Sequence, residues 1–190
     1  MSSYLEGQTH QLMERLESEN FTPRDMTLLG QFNNWPGILD LIHGRAEIVA
    51  VKHIIDCDAA PFLPQGWSVH EEDQLPGRVR CQVEWNPANV ALWRSDEQKR
   101  VAVTGDELKK ELALQSVLPA NVLDHLLANP HLIPETWKGK YVFFWGTVYR
   151  SSDSDPYVRY LGWFGGRWSW SYDWLGSGWV GSNPAAVLAS

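Results

Sequence analysis

Three sets of residues in this chain have types and spacing that could do chemistry. The first is His53-Ile54-Ile55-Asp56-Cys57-Asp58, which holds every common ligand type for a transition metal. A metal needs those groups to converge. On an extended strand His53 and Cys57 share one face while Asp56 and Asp58 share the other, so the run reads as a strand end with a polar turn. The second set is the acids Glu71-Glu72-Asp73 and Asp153/Asp155. General acid–base work, as in a hydrolase, needs two carboxyls at defined separation in a cleft with at least one pKa shifted. Neighbouring acids on polar loops read instead as solvated charge. His125, beside Asp124 on a leucine-rich stretch, reads as a surface or boundary residue, and the six histidines show no paired spacing. No phosphate-binding glycine loop, zinc-protease motif or nucleophile elbow is present. These residues assign no catalytic group, no metal and no cofactor.

The third set is an aromatic row around one arginine. Phe164-Gly165-Gly166-Arg167 is a hairpin signal, because a two-residue type I′ loop needs positive φ at both central positions and glycine adopts it without a steric penalty. With Gly165 and Gly166 as the loop, Phe164 faces Arg167, Trp163 faces Trp168, Leu161 faces Trp170, Arg159 faces Tyr172 and Tyr157 faces Trp174. Side chains alternate along a strand. One face therefore carries Tyr157, Arg159, Leu161, Trp163, Trp168, Trp170, Tyr172 and Trp174, and the other Val158, Tyr160, Gly162, Ser169, Ser171 and Asp173. A one-residue slip would put the aromatic row in water, so the register is strongly specified.

Two readings of that face compete. Large aromatics are ordinary core material, each burying on the order of 150–250 Å², and an exposed patch of this size is unusual in a monomer; this favours core. The alternative is a ligand platform made by Arg159, Trp163, Trp168, Trp170, Tyr172 and Trp174, with rings stacking on sugar faces or a partner's side chains. Arg159 would then anchor an anionic or polyhydroxyl ligand. As a structural residue it would be a rim group, its stem covering the core and its guanidinium reaching water, and this is the favoured expectation.

The remaining elements position these groups. Residues 4–19 have helical spacing at Leu5, Leu12, Met13 and Leu16. Thr22-Pro23-Arg24-Asp25 starts a second helix, broken or kinked at 33–37 and resuming through 38–42. Residues 46–55, β-branched and short, predict a strand. Residues 78–85 alternate Val79, Cys81, Val83 and Trp85 against polar neighbours and predict a half-buried strand; further short strands are expected at 90–93 and 99–103. Thr104 and Glu107 have capping-box spacing ahead of a helix, and another helix is expected from Pro119 to Ala128, stopped by Asn129-Pro130. Residues 141–149, apolar on both faces, predict a more central strand.

Composition bounds the class. A chain of 190 residues, 44% hydrophobic and 21% charged, is long enough for a real core. Eleven tryptophans are unusual, and seven lie between Trp137 and Trp179. The net charge of −7 and pI near 5.3 argue against a nucleic-acid partner, whose binding draws on clustered Lys and Arg. No apolar run approaches the ~18 residues of a membrane span. Residues 1–6 lack the basic and apolar segments of a secretory signal, which predicts a cytoplasmic protein with Cys57 and Cys81 free and buried.

Several wordings resemble an uncharacterised family of small bacterial proteins. They are Asp56-Cys57-Asp58-Ala59, Trp85-Asn86-Pro87, the stretch 118–127, Leu132-Ile133-Pro134-Glu135 with Trp137-Lys138-Gly139-Lys140, and Phe144-Trp145-Gly146-Thr147. To these are added Tyr157-Val158-Arg159-Tyr160-Leu161, Gly166-Arg167-Trp168 and the tail Asn183-Pro184-Ala185-Ala186. The resemblance covers about two-thirds of the chain from Asp56 onward. The family has no established activity, so the resemblance transfers no catalytic residues. Where such relatives have Asp-Gly ahead of the hairpin, this chain has Ser154-Asp155-Pro156.

The fold expected is α+β: N-terminal helices, a central mixed α/β region, and a C-terminal three-stranded antiparallel Trp-rich meander. The division expected is residues 1–135 and 136–190, packed together as one compact unit. The leading functional expectation is a non-catalytic binding or interaction protein with protein or carbohydrate partners. A hydrolase with loop carboxylates beside an aromatic cleft is the alternative, and a purely structural role is a third. Composition leaves the oligomeric state open.

Overall fold

The computed structural model describes residues 6–49 and 51–189. The chain is α+β and divides into two compact units, residues 1–51 and 52–190. The segment 136–190 packs with 52–135 inside the second unit.

The first unit holds α1 (Glu6–Ser18), α2 (Pro23–Gly30) and α3 (Trp35–Ile42). The Thr22 hydroxyl accepts from the Asp25 N–H while the Asp25 carboxylate accepts from the Thr22 N–H, closing a capping box on α2. The interruption at 33–34 ends with Asn34, whose side chain accepts from the Gly37 N–H at the start of α3. Of the first helix expected, Tyr4 and Leu5 lie outside the described residues. Among the described residues of the strand expected over 46–55, only the last ones pair, as β1 (Ile54–Asp56) with the His53 carbonyl just before it accepting from the Trp85 N–H, and Ile48, Val49 and Val51 stand exposed. A β-branched run becomes a strand only where a second strand meets its amides.

The second unit is built on one six-stranded sheet. Its elements in chain order are β1, β2 (Ser68–Val69), β3 (Gln82–Glu84), β4 (Val90–Trp93), β5 (Val103–Thr104), α4 (Gly105–Leu112), α5 (Ala120–Ala128), β6 (Val142–Arg150), β7 (Pro156–Phe164), β8 (Arg167–Trp174), β9 (Gly178–Trp179) and β10 (Ala185–Leu188). The sheet order is β4-β10-β6-β7-β8, with β2 paired to the end of β6. β1 with β3, and β5 with β9, form separate antiparallel pairs. The C-terminal sheet is thus larger than the three strands expected. The tail at Ala185–Leu188 returns as a strand, parallel to β6 and antiparallel to β4. The turn wording Gly181-Ser182-Asn183-Pro184 precedes it, but four apolar residues are too few to show a strand period. The strand at 78–85 is likewise shorter than expected, because Cys81 sits at φ 63° and interrupts it.

Both faces of β6 are covered. Val142 and Phe144 enter a core with Leu118, Val122, Leu123 and Leu126 of the α5 side. Phe143 and Trp145 enter a second core with Leu108, Leu112 and Trp179. Between Phe143 and Val148 the register against β7 shifts, and Val148 falls on the Trp145 side instead of opposite it. Four residues of β6 (144–147) stand against one of β7 (Arg159), and an odd excess exchanges the faces of all that follow, so Tyr149 arrives beneath the aromatic row.

The irregularity contains Gly146 and Thr147, and it positions α5. The Gly146 N–H donates to the Leu118 carbonyl at 3.0 Å, and the Thr147 hydroxyl accepts from the Ala120 N–H at 3.0 Å. Pro119, the N-cap residue of α5, has no side-chain cap to offer. Thr147 supplies from the sheet what the helix lacks locally. Thr104 and Glu107 cap α4 reciprocally, as their spacing predicts.

Candidate functional site

The hairpin β7–β8 holds the aromatic row. Gly165 and Gly166 both have positive φ (56° and 83°), and the pairing runs from Phe164 with Arg167 to Tyr157 with Trp174 without interruption. The loop 57–67 then folds across the row, held by a chain of local bonds. Asp56 Oδ1 accepts from the Asp58 and Ala59 amides, and Asp58 Oδ2 accepts from the Cys81 N–H at 2.8 Å. Arg78 donates to the Cys57 carbonyl, and Asn121 on α5 donates to the Ala59 carbonyl at 2.8 Å. The Asp56-Cys57-Asp58 run is therefore a turn, and burial pushes the Cys57 thiol up to about 11, away from nucleophilic use. Both cysteines are free, but Cys81 is exposed rather than buried, because its positive-φ position lies at the outer edge of that turn.

Arg159 is not a rim residue. It is 1% exposed, beneath a roof of loop and helix. One guanidinium nitrogen lies 2.8 Å from Asp124 Oδ1 on α5, and another donates to the Tyr149 hydroxyl at 3.3 Å. The guanidinium carbon sits 4.4 Å from the Trp170 ring centre and 5.0 Å from that of Phe62. Asp124 Oδ2 accepts from the Phe62 N–H, and the Tyr149 hydroxyl donates to the Phe62 carbonyl. The rim expectation fails because the groups that cover and neutralise Arg159 from above, Phe62 of the loop and Asp124 of α5, are remote in sequence from the hairpin. The cation is neutralised where it lies, so it does not present charge to solvent.

Above it runs a strip of linked rings. Phe62 meets Trp170 at 5.5 Å, Trp170 meets Tyr172 at 6.4 Å, Tyr172 meets Trp67 at 4.7 Å, and Trp67 meets Tyr157 at 4.9 Å. Phe62 and Tyr172 are about half exposed, at 51% and 46%, while Trp67, Tyr157 and Trp170 are half-buried. Trp163 and Trp168 form a separate half-buried pair near the hairpin turn, with Lys138 Nζ 4.0 Å above the Trp163 ring. Trp174, 45% exposed, folds onto Gly176, where a Cβ would lie 2.4 Å from its ring. Of the six residues expected at the site, Trp170 and Tyr172 belong to the strip. Trp163, Trp168 and Trp174 flank it, and Arg159 lies underneath. Phe62, Trp67, Tyr149 and Asp124 were not legible in the sequence as site residues; the only signal was two aromatics inside a Pro/Gly loop.

Several titratable groups elsewhere are engaged. His125 and His53, unpaired by sequence spacing, stand with ring nitrogens 3.3 Å apart, and His131 lies 6.0 Å from His53 centre to centre. Burial, then the neighbouring His53, lowers the His125 pKa. Glu71 pairs with Arg80, whose hydrogen bond holds its carboxyl below the ordinary range. Buried Asp73 receives Arg150 Nε at 2.7 Å, and that hydrogen bond likewise holds its pKa below the usual 3.8.

A carboxylate depressed in the folded state stabilises fully above its unfolded pKa and loses that contribution as pH falls through the folded value. Urea midpoints of the wild type and Asp73→Asn are therefore expected to differ by a constant amount from about pH 5 to 7 and to converge below about pH 4. A gap that persists unchanged to about pH 2.5 would remove Asp73 ionisation from the account.

Comparison with family models, with curated proteins and with solved structures returns no match for this chain. Among the described residues no helix is long and apolar enough to cross a membrane.

Proposed function

We propose that this chain is a non-catalytic binding protein of the cytoplasm that presents the strip Phe62–Trp170–Tyr172–Trp67 to the apolar face of an uncharged ligand, a sugar ring or a partner's side chain. The observation that carries this reading is the state of Arg159. Its charge is matched by Asp124 and its surface is covered, so the rings above it offer stacking area without an anionic anchor. Ring-to-ring contacts hold the strip on a sheet and a pinned loop, so little side-chain freedom is lost on binding. Trp163, Trp168 and Trp174 extend the same face at either end.

Two further points support binding over hydrolysis. The acids Glu71 and Asp73 are tied to arginines that hold them ionised, the opposite of what a general acid requires. Nor does the face gather the free basic groups that a nucleic-acid partner would need. Of the residues that carry the bacterial resemblance, Asp56, Asp58, Gly146 and Thr147 hold turns and a helix end rather than reacting groups.

Tryptophan fluorescence titration with neutral oligosaccharides and with aromatic-rich peptides tests the reading. Binding of one class is expected to shift the emission, and Tyr172→Ala or Phe62→Ala to weaken it about tenfold or more, as one lost stacking contact implies. Saturable binding untouched by both substitutions, or none to either class, would sink the proposal.

A further inference from the structure

β8 is the last strand of the sheet, and one of its two edges is open. Pairing with β7 uses the amides of Arg167, Ser169, Ser171 and Asp173, the positions that follow the two-residue loop in alternation. The N–H and C=O groups of Trp168, Trp170 and Tyr172 point outward, and among the described residues nothing pairs with them. At the far end the edge is closed: the Trp174 N–H donates to Asp173 Oδ1 and its carbonyl accepts from the Ser177 N–H. Edge strands are ordinarily guarded by lysine, proline, a bulge or a cover. β8 has no proline, no lysine and an uninterrupted register.

The strand is also complementary to itself. Reading Arg167-Trp168-Ser169-Trp170-Ser171-Tyr172-Asp173 in both directions gives opposite charges at the ends, aromatics at the second positions, serines at the third and tryptophan at the centre. We infer that a second copy of this chain pairs antiparallel along the open edge of β8, about a two-fold axis at Trp170. In that register Arg167 of each copy stands opposite Asp173 of the other, Ser169 opposite Ser171, Trp168 opposite Tyr172, and Trp170 opposite its own counterpart.

Three observations select this partner and register. All the residues whose amides must meet are those pointing outward: Trp168 opposes Tyr172 and Trp170 opposes Trp170, so each opposed pair exchanges both its N–H and its C=O. Arg167 is exposed with no carboxylate partner among the described residues, and Asp173 accepts only from the Trp174 N–H and the Ser177 hydroxyl, with no cation beside it. The copy supplies the partner that neither charge has among the described residues. Moving the axis one residue toward Asp173 sets Trp168 against Trp174, whose N–H and C=O are already engaged, and Arg167 against Leu175; moving it the other way sets Arg167 against Ser171 and Asp173 against Gly165, and either shift loses both ion pairs. On the opposite face the rings of both copies then form one continuous aromatic row. The inference stands whether or not that row binds a ligand.

Sedimentation equilibrium of the full chain, with cross-linking by engineered cysteines, tests it. Dimerisation is expected to be concentration-dependent. Arg167→Glu should weaken it about tenfold or more, since like charges then oppose each other twice. Asp173→Asn keeps the side-chain oxygen for Trp174 and Ser177, so it removes the charge without opening the turn, and it should weaken dimerisation by a smaller factor. In a Cys81→Ser background, oxidation should link Ser169→Cys to Ser171→Cys when the two variants are mixed, and link neither variant to itself. A chain that stays monomeric at high concentration overturns the inference. So does a dimer unaffected by Arg167→Glu, or one whose cysteine variants link to themselves rather than in the mixture.

Discussion

Replacing Asp124 by asparagine is expected to lower the unfolding free energy by about 3 kcal/mol, whereas Arg159→Met costs about 1–2 kcal/mol although both break the same ion pair. The asymmetry follows from burial. The Arg159 side chain is 1% exposed and that of Asp124 28%. Without the carboxylate, the guanidinium is a buried charge facing the Tyr149 hydroxyl and the rings of Phe62, Tyr149 and Trp170, with no anion beside it, and its Nε already has no partner. Without the guanidinium, Asp124 keeps the Phe62 N–H and reaches water. An apolar side chain in the Arg159 position also packs among Phe62, Tyr149 and Trp170. Adding Arg159→Met to Asp124→Asn should therefore recover part of the loss. Urea denaturation of the two single variants and the double variant at neutral pH measures all three terms. Equal single-variant costs, or no recovery in the double, would mean that Arg159 is solvated in the folded protein.

Gly146→Ala is expected to cost about 3 kcal/mol, at the upper end of what overpacking usually does. A Cβ at Gly146 would meet Pro119 N at 2.7 Å, and Leu118 C and Val117 O at 2.8 Å. These are backbone atoms, so no side chain can turn aside. Relief requires moving residues 117–119 outward, which lengthens both the Gly146 N–H bond to Leu118 and the cap that Thr147 gives to α5. The contrast is Gly139, where a Cβ meets nothing within 4 Å and only the φ of 79° resists substitution. Gly139→Ala should cost about 1 kcal/mol. Thermal unfolding separates them, with a drop of about 10 °C for Gly146→Ala and a few degrees for Gly139→Ala. Near-equal shifts would show that the approach of 117–119 to β6 is not rigid.

What the amino-acid sequence determined by itself is local. The hairpin register was readable because Gly165 and Gly166 leave one two-residue loop, and alternation then assigns every ring to a face. The caps at Thr22 and Thr104 and the span of α5 were readable because their partners lie within four residues. Tertiary structure decided the rest. The parity of β6 changed at Gly146 and Thr147, a shift set by residues 117–120 rather than by the strand's own pattern. Ala185–Leu188 became a strand only because β4 and β6 leave a place between them. The role of Arg159 depended on Phe62, Asp124 and Tyr149, which lie 97, 35 and 10 positions away. Periodicity reports which face a side chain occupies; what covers that face is set by segments distant in sequence, and burial, pairing and exposure follow from the cover.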